Sequence, residues 1–342
     1  DSVIIIIIKQ REFNSVFYLM NKNVSVKVYH GYGHTHNLVV YGHVFKYRAL
    51  TKQAFRKNYI VNGIHLLKLF LLKPLPFTKI RLSFNGDVVD QKTAYDGFFK
   101  CEWRASENVS AGWHLVKVEA LNEQNAVIAE STGKIFVPHI TQYAFISDID
   151  DTVMVSHSAT IWRRLRELFI KNPRTRKTFP HAQKHYELLA NAHTNPDQPN
   201  PFFYVSSSEW NLYDYLVETF RYNKLPEGAF LLNQIKQLKH FFKTGKTGHE
   251  GKLLRVMRIL DVFPNQKFIF FGDNSQQDPT IYTTIAKKYP KNIAAIYIRQ
   301  VVDKKASATQ LLLTTVEDKG IKTCLYKNSE EAIDHSKRIG LI

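Results

Sequence analysis

Three carboxylates fall within four positions of the chain, Asp148, Asp150 and Asp151, in the stretch FISDIDDTVMVS. The apolar run Tyr143 to Ile146 precedes them, and Thr152 and Val153 follow. Like charges this close repel, so the arrangement calls for something positive among them. A later apolar run, FIFFGD, ends in Asp273, with Asp278 five residues on. Another, FFYVS, gives Ser206, and GHEGK places Lys252 at the start of a helical pattern. If these runs are neighbouring strands, their ends share one sheet edge. Asp148, Asp150 and Asp273 then form an oxygen-rich cluster suited to Mg²⁺, a hard cation that takes one or two carboxylates together with water and phosphate oxygens. Lys252 adds a second positive charge, holding Asp148 ionised and countering the charge of a phosphoryl group.

The elements that position these residues are legible in the texture of the chain. From about Ile140, apolar runs (YAFISDID, FFYVSSS, KFIFFGD, IAAIYIRQV) alternate with helical stretches (HAQKHYELLANAH, NLYDYLVETFRY, GKLLRVMRILDVF, DPTIYTTIAKKY). Near-continuous apolar strands are what a sheet covered on both faces requires, so 141–342 is expected to be a doubly wound parallel α/β sheet. Ligands of such sheets sit beyond the carboxyl ends of the strands, where these carboxylates fall. Between the first two strands, 156–200 leaves room for a small helical cap. Its TIWRRLRELFIKNPRTRK sets Trp162 and Leu165 among Arg163, Arg164, Arg166, Arg174, Arg176 and Lys177, which reads as a solvated basic helix or as a lid meeting an anionic membrane.

Residues 1–140 read differently. Short Val, Ile, Tyr and Phe runs such as VSVKVYHGYGHTHNLVVYGHVFKY, KIRLSFNG, GFFKCEWR, WHLVKVEAL and AVIAESTGKIFV are broken by Gly, Asn and Asp turns, the pattern of an antiparallel β-sandwich. One amphipathic helix is expected near 58–72, with Ile60, Val61, Ile64, Leu67, Phe70 and Leu71 at helical spacing, docked on its own sandwich. His30, His34 and His36 have no neighbouring Cys or carboxylate and read as turn-flanking residues.

Composition sets the outer bounds. A chain of 342 residues suggests two domains, and 44% hydrophobic with 23% charged residues describes a folded protein and argues against disorder. The net charge of +17 favours an anionic partner: nucleic acid, an acidic membrane surface or a phosphorylated small molecule. Two cysteines, Cys101 and Cys324, far apart and without ligand spacing, argue against a disulfide framework or zinc site and fit a reducing, cytoplasmic setting. The apolar VIIIII near the start is too short for a membrane span, and opening on Asp1 in place of Met reads as a trimmed start.

Taken in order, DIDDTV, Ser206, Lys252 and GDNSQQD resemble the four motifs of the haloacid dehalogenase-like phosphohydrolases. The blocks FYVSSSEWNLYDYL, GHEGK leading to FPNQKFIFFGD, QDPTIY and AAIYIRQV are similar to one branch, the actin-patch-associated phosphatidate phosphatase family, over about 141–302. VKVYHGYG and TAYDGFFKCEW resemble, more loosely, the β-rich segment that precedes the catalytic domain in relatives. One departure is visible: where that family has Ser-Pro-Trp, this chain has Ser208, Glu209 and Trp210, an acidic residue near the phosphate entrance that bears on substrate choice.

The resemblance implies that Asp148 attacks phosphorus to form an aspartyl-phosphate. Asp150 protonates the leaving oxygen and then deprotonates water. Thr152 and Ser206, or its neighbour Ser207, position the reacting groups. Mg²⁺ is held by Asp148, the Asp150 carbonyl and Asp273, with Asp278 as a further carboxylate. Lys252 has rivals in Lys243 and Lys246, and Asp151 reads as a turn or cap residue. The expected activity is hydrolysis of phosphatidate to diacylglycerol, with peripheral contact at an acidic membrane. The alternatives are a soluble or nucleic-acid phosphomonoester as substrate, or a non-catalytic phospholipid-binding protein.

Overall fold

The computed structural model describes residues 24–46, 72–155, 178–195, 197–233 and 248–342. The expected amphipathic helix lies outside them except for its last residue, Leu72, as do Trp162, Leu165 and the basic cluster from Arg163 to Lys177, and Lys243 and Lys246. Two compact units are present, one from the described residues up to 109 with 113–135, the other from 110–112 and 136 onward.

The first unit holds β1 (Ser25–Val28), β2 (Gly31–His34), β3 (Asn37–Phe45), β4 (Lys79–Phe84), β5 (Asp87–Lys92), β6 (Phe98–Trp103), β7 (Gly112–Leu121) and most of β8 (Val127–Val137). They form one sheet of eight strands, ordered β1-β3-β2-β8-β7-β4-β5, with β6 on β3. The β4–β5 hairpin shows how sequence sets register. Asn85 and Gly86 both take positive φ, 45° and 88°, which the two-residue turn between Phe84 and Asp87 requires. Alternate residues of β4, Ile80, Leu82 and Phe84, are buried, as a strand with one covered face demands.

The second unit is a six-stranded parallel sheet. Its strands are β9 (Tyr143–Ser147), β10 (Phe202–Glu209), β11 (Gly228–Asn233), β12 (Lys267–Asp273), β13 (Ile293–Arg299) and β14 (Lys322–Tyr326), in the order β11-β10-β9-β12-β13-β14. Every adjacent pair is parallel. The helices are α1 (Ala182–Asn191), α2 (Tyr213–Tyr222), α3 (Gly248–Val262), α4 (Asp278–Lys288), α5 (Ala306–Glu317) and α6 (Ser329–Arg338). The chain starts at the centre, in β9, winds outward through β10 and β11, then returns to the other side of β9 with β12. That reversal makes the β9–β12 junction a topological switch point, where a crevice opens beyond the carboxyl ends of the strands. Phe145, Ile146, Phe203, Tyr204, Ile269 and Phe270 are buried at the sheet centre, which holds those ends rigidly in register.

Candidate active site

DIDDTV, called motif I below, begins where β9 stops. Asp148 still pairs with the sheet, its N–H donating to the Phe271 carbonyl at 2.8 Å. The chain then folds back tightly: the Val153 and Met154 N–H groups donate to the Ile149 carbonyl, and the Asp151 N–H to the Met154 carbonyl at 2.8 Å. Asp151 takes φ 60°, a left-handed conformation that Asp tolerates better than most residues. It serves as the turn residue, and Asp148, Asp150 and Thr152 are brought together around it, all buried.

The β12 end supplies Asp273, and Asp278 opens α4, with Pro279 beside it in the first turn, a position that favours both a carboxylate and a proline. Gly272 makes the approach possible. A Cβ there would stand 2.7 Å from both Asp278 Oδ2 and the Tyr282 ring, so only glycine lets α4 come this close to the strand. Lys252, on α3, reaches into the cluster. Its Nζ lies 2.9 Å from Asp148 Oδ1 and also donates to Asp278 Oδ1. Asp278 Oδ2 accepts from the Asp273 N–H at 3.3 Å, and Asp273 Oδ1 from the Ser275 N–H at 2.5 Å. Asp148, Lys252, Asp273 and Asp278 are each 4% exposed or less.

Charge in this cluster does not balance. Burial raises the Asp148 carboxyl well above its usual range, Lys252 pulls it down, and Asp278, Asp273 and Asp150 push it up again. Burial and Asp278 raise Asp273 to about 7. Burial would lower the Lys252 ammonium, but Asp148 and Asp278 outweigh it and hold the lysine charged. One lysine cannot satisfy this many buried carboxylates. The oxygen atoms point the same way: Asp148, Asp273 and Asp278 each offer an oxygen within 4.8 Å of the others. Asp148 Oδ2 and Asp273 Oδ2 are buried without a hydrogen-bond partner. Unpaired buried carboxylate oxygens are costly, and a hard divalent cation fits both their chemistry and the excess charge. Asp278 has both oxygens engaged, by Lys252 and by the Asp273 amide, which suits it to holding the lysine and leaves Asp148 and Asp273 as the donors for an ion.

On the other flank, β10 shifts register against β11 between Val205 and Glu209. The strand therefore runs past the expected end at Ser206 and carries an irregularity, a device that re-aims side chains beside active sites. Ser206 Oγ and Ser208 Oγ each lie 3.5 Å from Asp150 Oδ2, and the Ser208 N–H donates to Ser206 Oγ at 3.0 Å. Of the two motif II candidates the structure sets Ser206 against Asp150, while the Ser207 carbonyl accepts from Asn233 Nδ2. Ser208 is a site residue that inspection of strand ends alone passes over. The period-two rule applied from Ser206 would have found it. Thr152 Oγ1 is buried and unpartnered, and the Thr152 carbonyl accepts from Arg299 Nε at 2.9 Å.

Residues 143–300 match the family model described as the catalytic domain of phosphatidate phosphatase APP1. Over these residues the chain is similar to that catalytic domain. The match runs from the start of β9 to the residue after β13 and so includes every residue of the cluster. Phosphatidate phosphatase APP1 of Saccharomyces cerevisiae is 33% identical over 161 residues, 45% of this chain and 25% of that protein. An uncharacterized protein of Schizosaccharomyces pombe is 26% identical over 161 residues, 46% of this chain and 25% of its own. The chain thus spans about a quarter of the length of these curated relatives. Among solved structures, the fibronectin(III)-like modules of Clostridium thermocellum CbhA align at 17% identity over 33% of this chain and 94% of that one, with a TM-score of 0.17.

Proposed function

We propose that this chain is a Mg²⁺-dependent phosphomonoester hydrolase, that its substrate is phosphatidate, and that it works through an aspartyl-phosphate on Asp148. The observation that carries the reading is the buried, charge-unbalanced Asp148–Lys252–Asp278–Asp273 cluster at the switch point of a domain similar to the APP1 catalytic domain.

In the first step an Asp148 oxygen forms a bond to phosphorus as the bond to the leaving alcohol oxygen breaks. Asp150 gives that oxygen its proton, so the product leaves as an alcohol. In the second, Asp150, now a carboxylate, takes a proton from water as the water oxygen attacks phosphorus. Phosphate departs and the Asp148 carboxylate is restored. Ser206 and Ser208 orient the Asp150 carboxyl between the two steps. Lys252 favours the ionised form of Asp148 against burial and offsets charge on the phosphoryl oxygens. Asp148, Asp273 and the Asp150 carbonyl would hold Mg²⁺, which supplies positive charge against the phosphoryl group and the buried carboxylates. The same reading assigns the unit to the haloacid dehalogenase-like superfamily, with the sheet order and the four motif positions in support.

Phosphatidate as substrate rests on the family and on the charge of +17, which suits a protein that docks peripherally on an acidic surface. No helix among the described residues is long and apolar enough to cross a membrane. The test is phosphate release by purified protein from vesicles containing phosphatidate and from soluble and nucleic-acid phosphomonoesters, with Mg²⁺ or with chelator. Mg²⁺-dependent release from the vesicles is expected. Release from soluble or nucleic-acid esters alone would move the substrate assignment, and no release from any would return the chain to a phospholipid-binding role.

A further inference from the structure

Arg299, the last residue of β13, is 3% exposed, and among the described residues its guanidinium meets no carboxylate. Burying a cation that way costs free energy unless its donors are all used, so where they go is informative. Nε donates to the Thr152 carbonyl at 2.9 Å, Nη2 to Ser329 Oγ at 2.9 Å and Nη1 to the Lys327 carbonyl at 3.4 Å. The guanidinium carbon lies 4.2 Å from the Phe179 ring centre and 4.7 Å from that of Tyr326, which offsets part of the lost hydration. Ser329 is itself fixed as the first residue of α6, whose cap Asn328 accepts from the Glu331 N–H at 3.0 Å. The main chain of Arg299 is engaged as well: its carbonyl accepts from the Asn274 N–H at 3.0 Å, directly after Asp273. Its side chain therefore holds the turn after Asp148, and its backbone holds the loop after Asp273.

We infer that Arg299 is a positioning residue for the reaction, fixing the motif I turn through the Thr152 carbonyl so that Asp150 and Thr152 stand in register with Asp148. Thr152 follows Asp150 by two residues in a turn closed by Ile149 and Met154, so releasing its carbonyl frees the peptide that aims the Asp150 carboxyl. Displacements of about 1 Å at a reacting group cost up to about 10²-fold in rate. Lysine does not substitute, because a single ammonium cannot reproduce the planar fork that spans Thr152, Lys327 and Ser329. The inference deepens the proposed function and rests on its assignment of Asp150 as the proton donor.

Two variants, Arg299→Lys and Ser329→Ala, separate positioning from folding, the second loosening the guanidinium while leaving it in place. Amide hydrogen exchange in Arg299→Lys should rise in peptides covering 149–154, with protection of β10 and β12 retained. For turnover, kcat should fall about 10- to 100-fold with KM changed less than about 3-fold, and Ser329→Ala should show the same pattern more weakly. Arg255→Lys is the control, because Arg255 donates to Asn233 Oδ1 and the Ser206 carbonyl and does not touch the motif I turn; exchange over 149–154 should stay at the parental level. Unchanged exchange over 149–154 in both Arg299→Lys and Ser329→Ala overturns the inference, as does a loss of KM with kcat preserved. If the parent protein releases no phosphate from any ester, the proposed function fails, while the exchange result still decides whether Arg299 holds the turn.

Discussion

The two units bury polar groups for opposite purposes. Among the described residues of the β-rich unit the buried polar side chains are His43 and Thr93, both serving the fold. His43 Nδ1 pairs with the Tyr29 hydroxyl at 2.9 Å, and burial pushes the imidazole down to about 3, so it stays neutral. Thr93 Oγ1 donates to the Leu75 carbonyl and accepts from the Thr78 N–H, both at 2.9 Å. In the parallel unit the buried polar groups include four ionisable carboxylates and a lysine at one sheet edge, and their charges do not cancel. A fold can afford a neutral polar group anywhere, even His43 with its Nε2 buried and unpartnered. It keeps an unbalanced set of charges only where something else completes it, and that contrast locates the site without reference to any relative.

The sharpest way to break the contrast is Asp148→Asn. The substitution keeps the volume, so the fold should persist while turnover drops by several orders of magnitude, as loss of a covalent nucleophile requires. Asp150→Asn should cost about 10² to 10⁴ in rate, because leaving-group protonation and water activation both pass through it. Substrates with leaving groups that need no proton should be spared in the first step, and a burst of alcohol followed by slow phosphate release would report that. For Asp273→Ala the expected outcome is an activation curve displaced to at least about 10-fold higher Mg²⁺, with circular dichroism unchanged.

The smallest effect belongs to the β-rich unit. His43 titrates near 3 when folded and near 6.5 when unfolded, so between these values the unfolded chain binds a proton that the folded chain refuses. Its contribution is complete above about 6.5 and is lost as pH falls, at ~1.4 kcal/mol per pH unit. His43→Gln should flatten that acid limb in denaturation measured at pH 7 and pH 5 and leave turnover at pH 7 unaltered. His185 in the parallel unit is likewise pushed to about 3, chiefly by burial, so part of the acid sensitivity should remain.

How much of this was legible follows the same division. The central strands of the parallel sheet announce themselves because both faces are covered, and every position in Phe268 to Asp273 is buried. Three strands go unmarked in the sequence, Asp87–Lys92, Gly228–Asn233 and Lys322–Tyr326, and all lie at the end of their sheets. An edge strand needs no continuous apolar run, and DVVDQK and KTCLY have none, whereas GAFLLN carries a short one. Within the site, Asp148 and Asp273 could be named because a carboxylate after an apolar run contradicts its surroundings, and Lys252 because GHEGK sets it at the start of a helical pattern. Ser208 needed the strand alternation carried on from Ser206, and Arg299 could not be named at all. A serine is unremarked in any loop, and arginines are ordinarily exposed, so a buried one is visible only once α6 and the Tyr326 ring are seen to enclose it.

The central claim, that the buried carboxylates at this sheet edge form a phosphoryl-transfer site built on Asp148, is tested most directly by trapping the enzyme during turnover. Protein mixed with phosphatidate vesicles carrying a labelled phosphate, in Mg²⁺, is quenched in acid within milliseconds and digested. The account predicts label on the peptide containing Asp148, released by hydroxylamine as an acyl phosphate should be, and absent from Asp148→Asn. Steady phosphate release with no labelled peptide, or with the label on another residue, would contradict it.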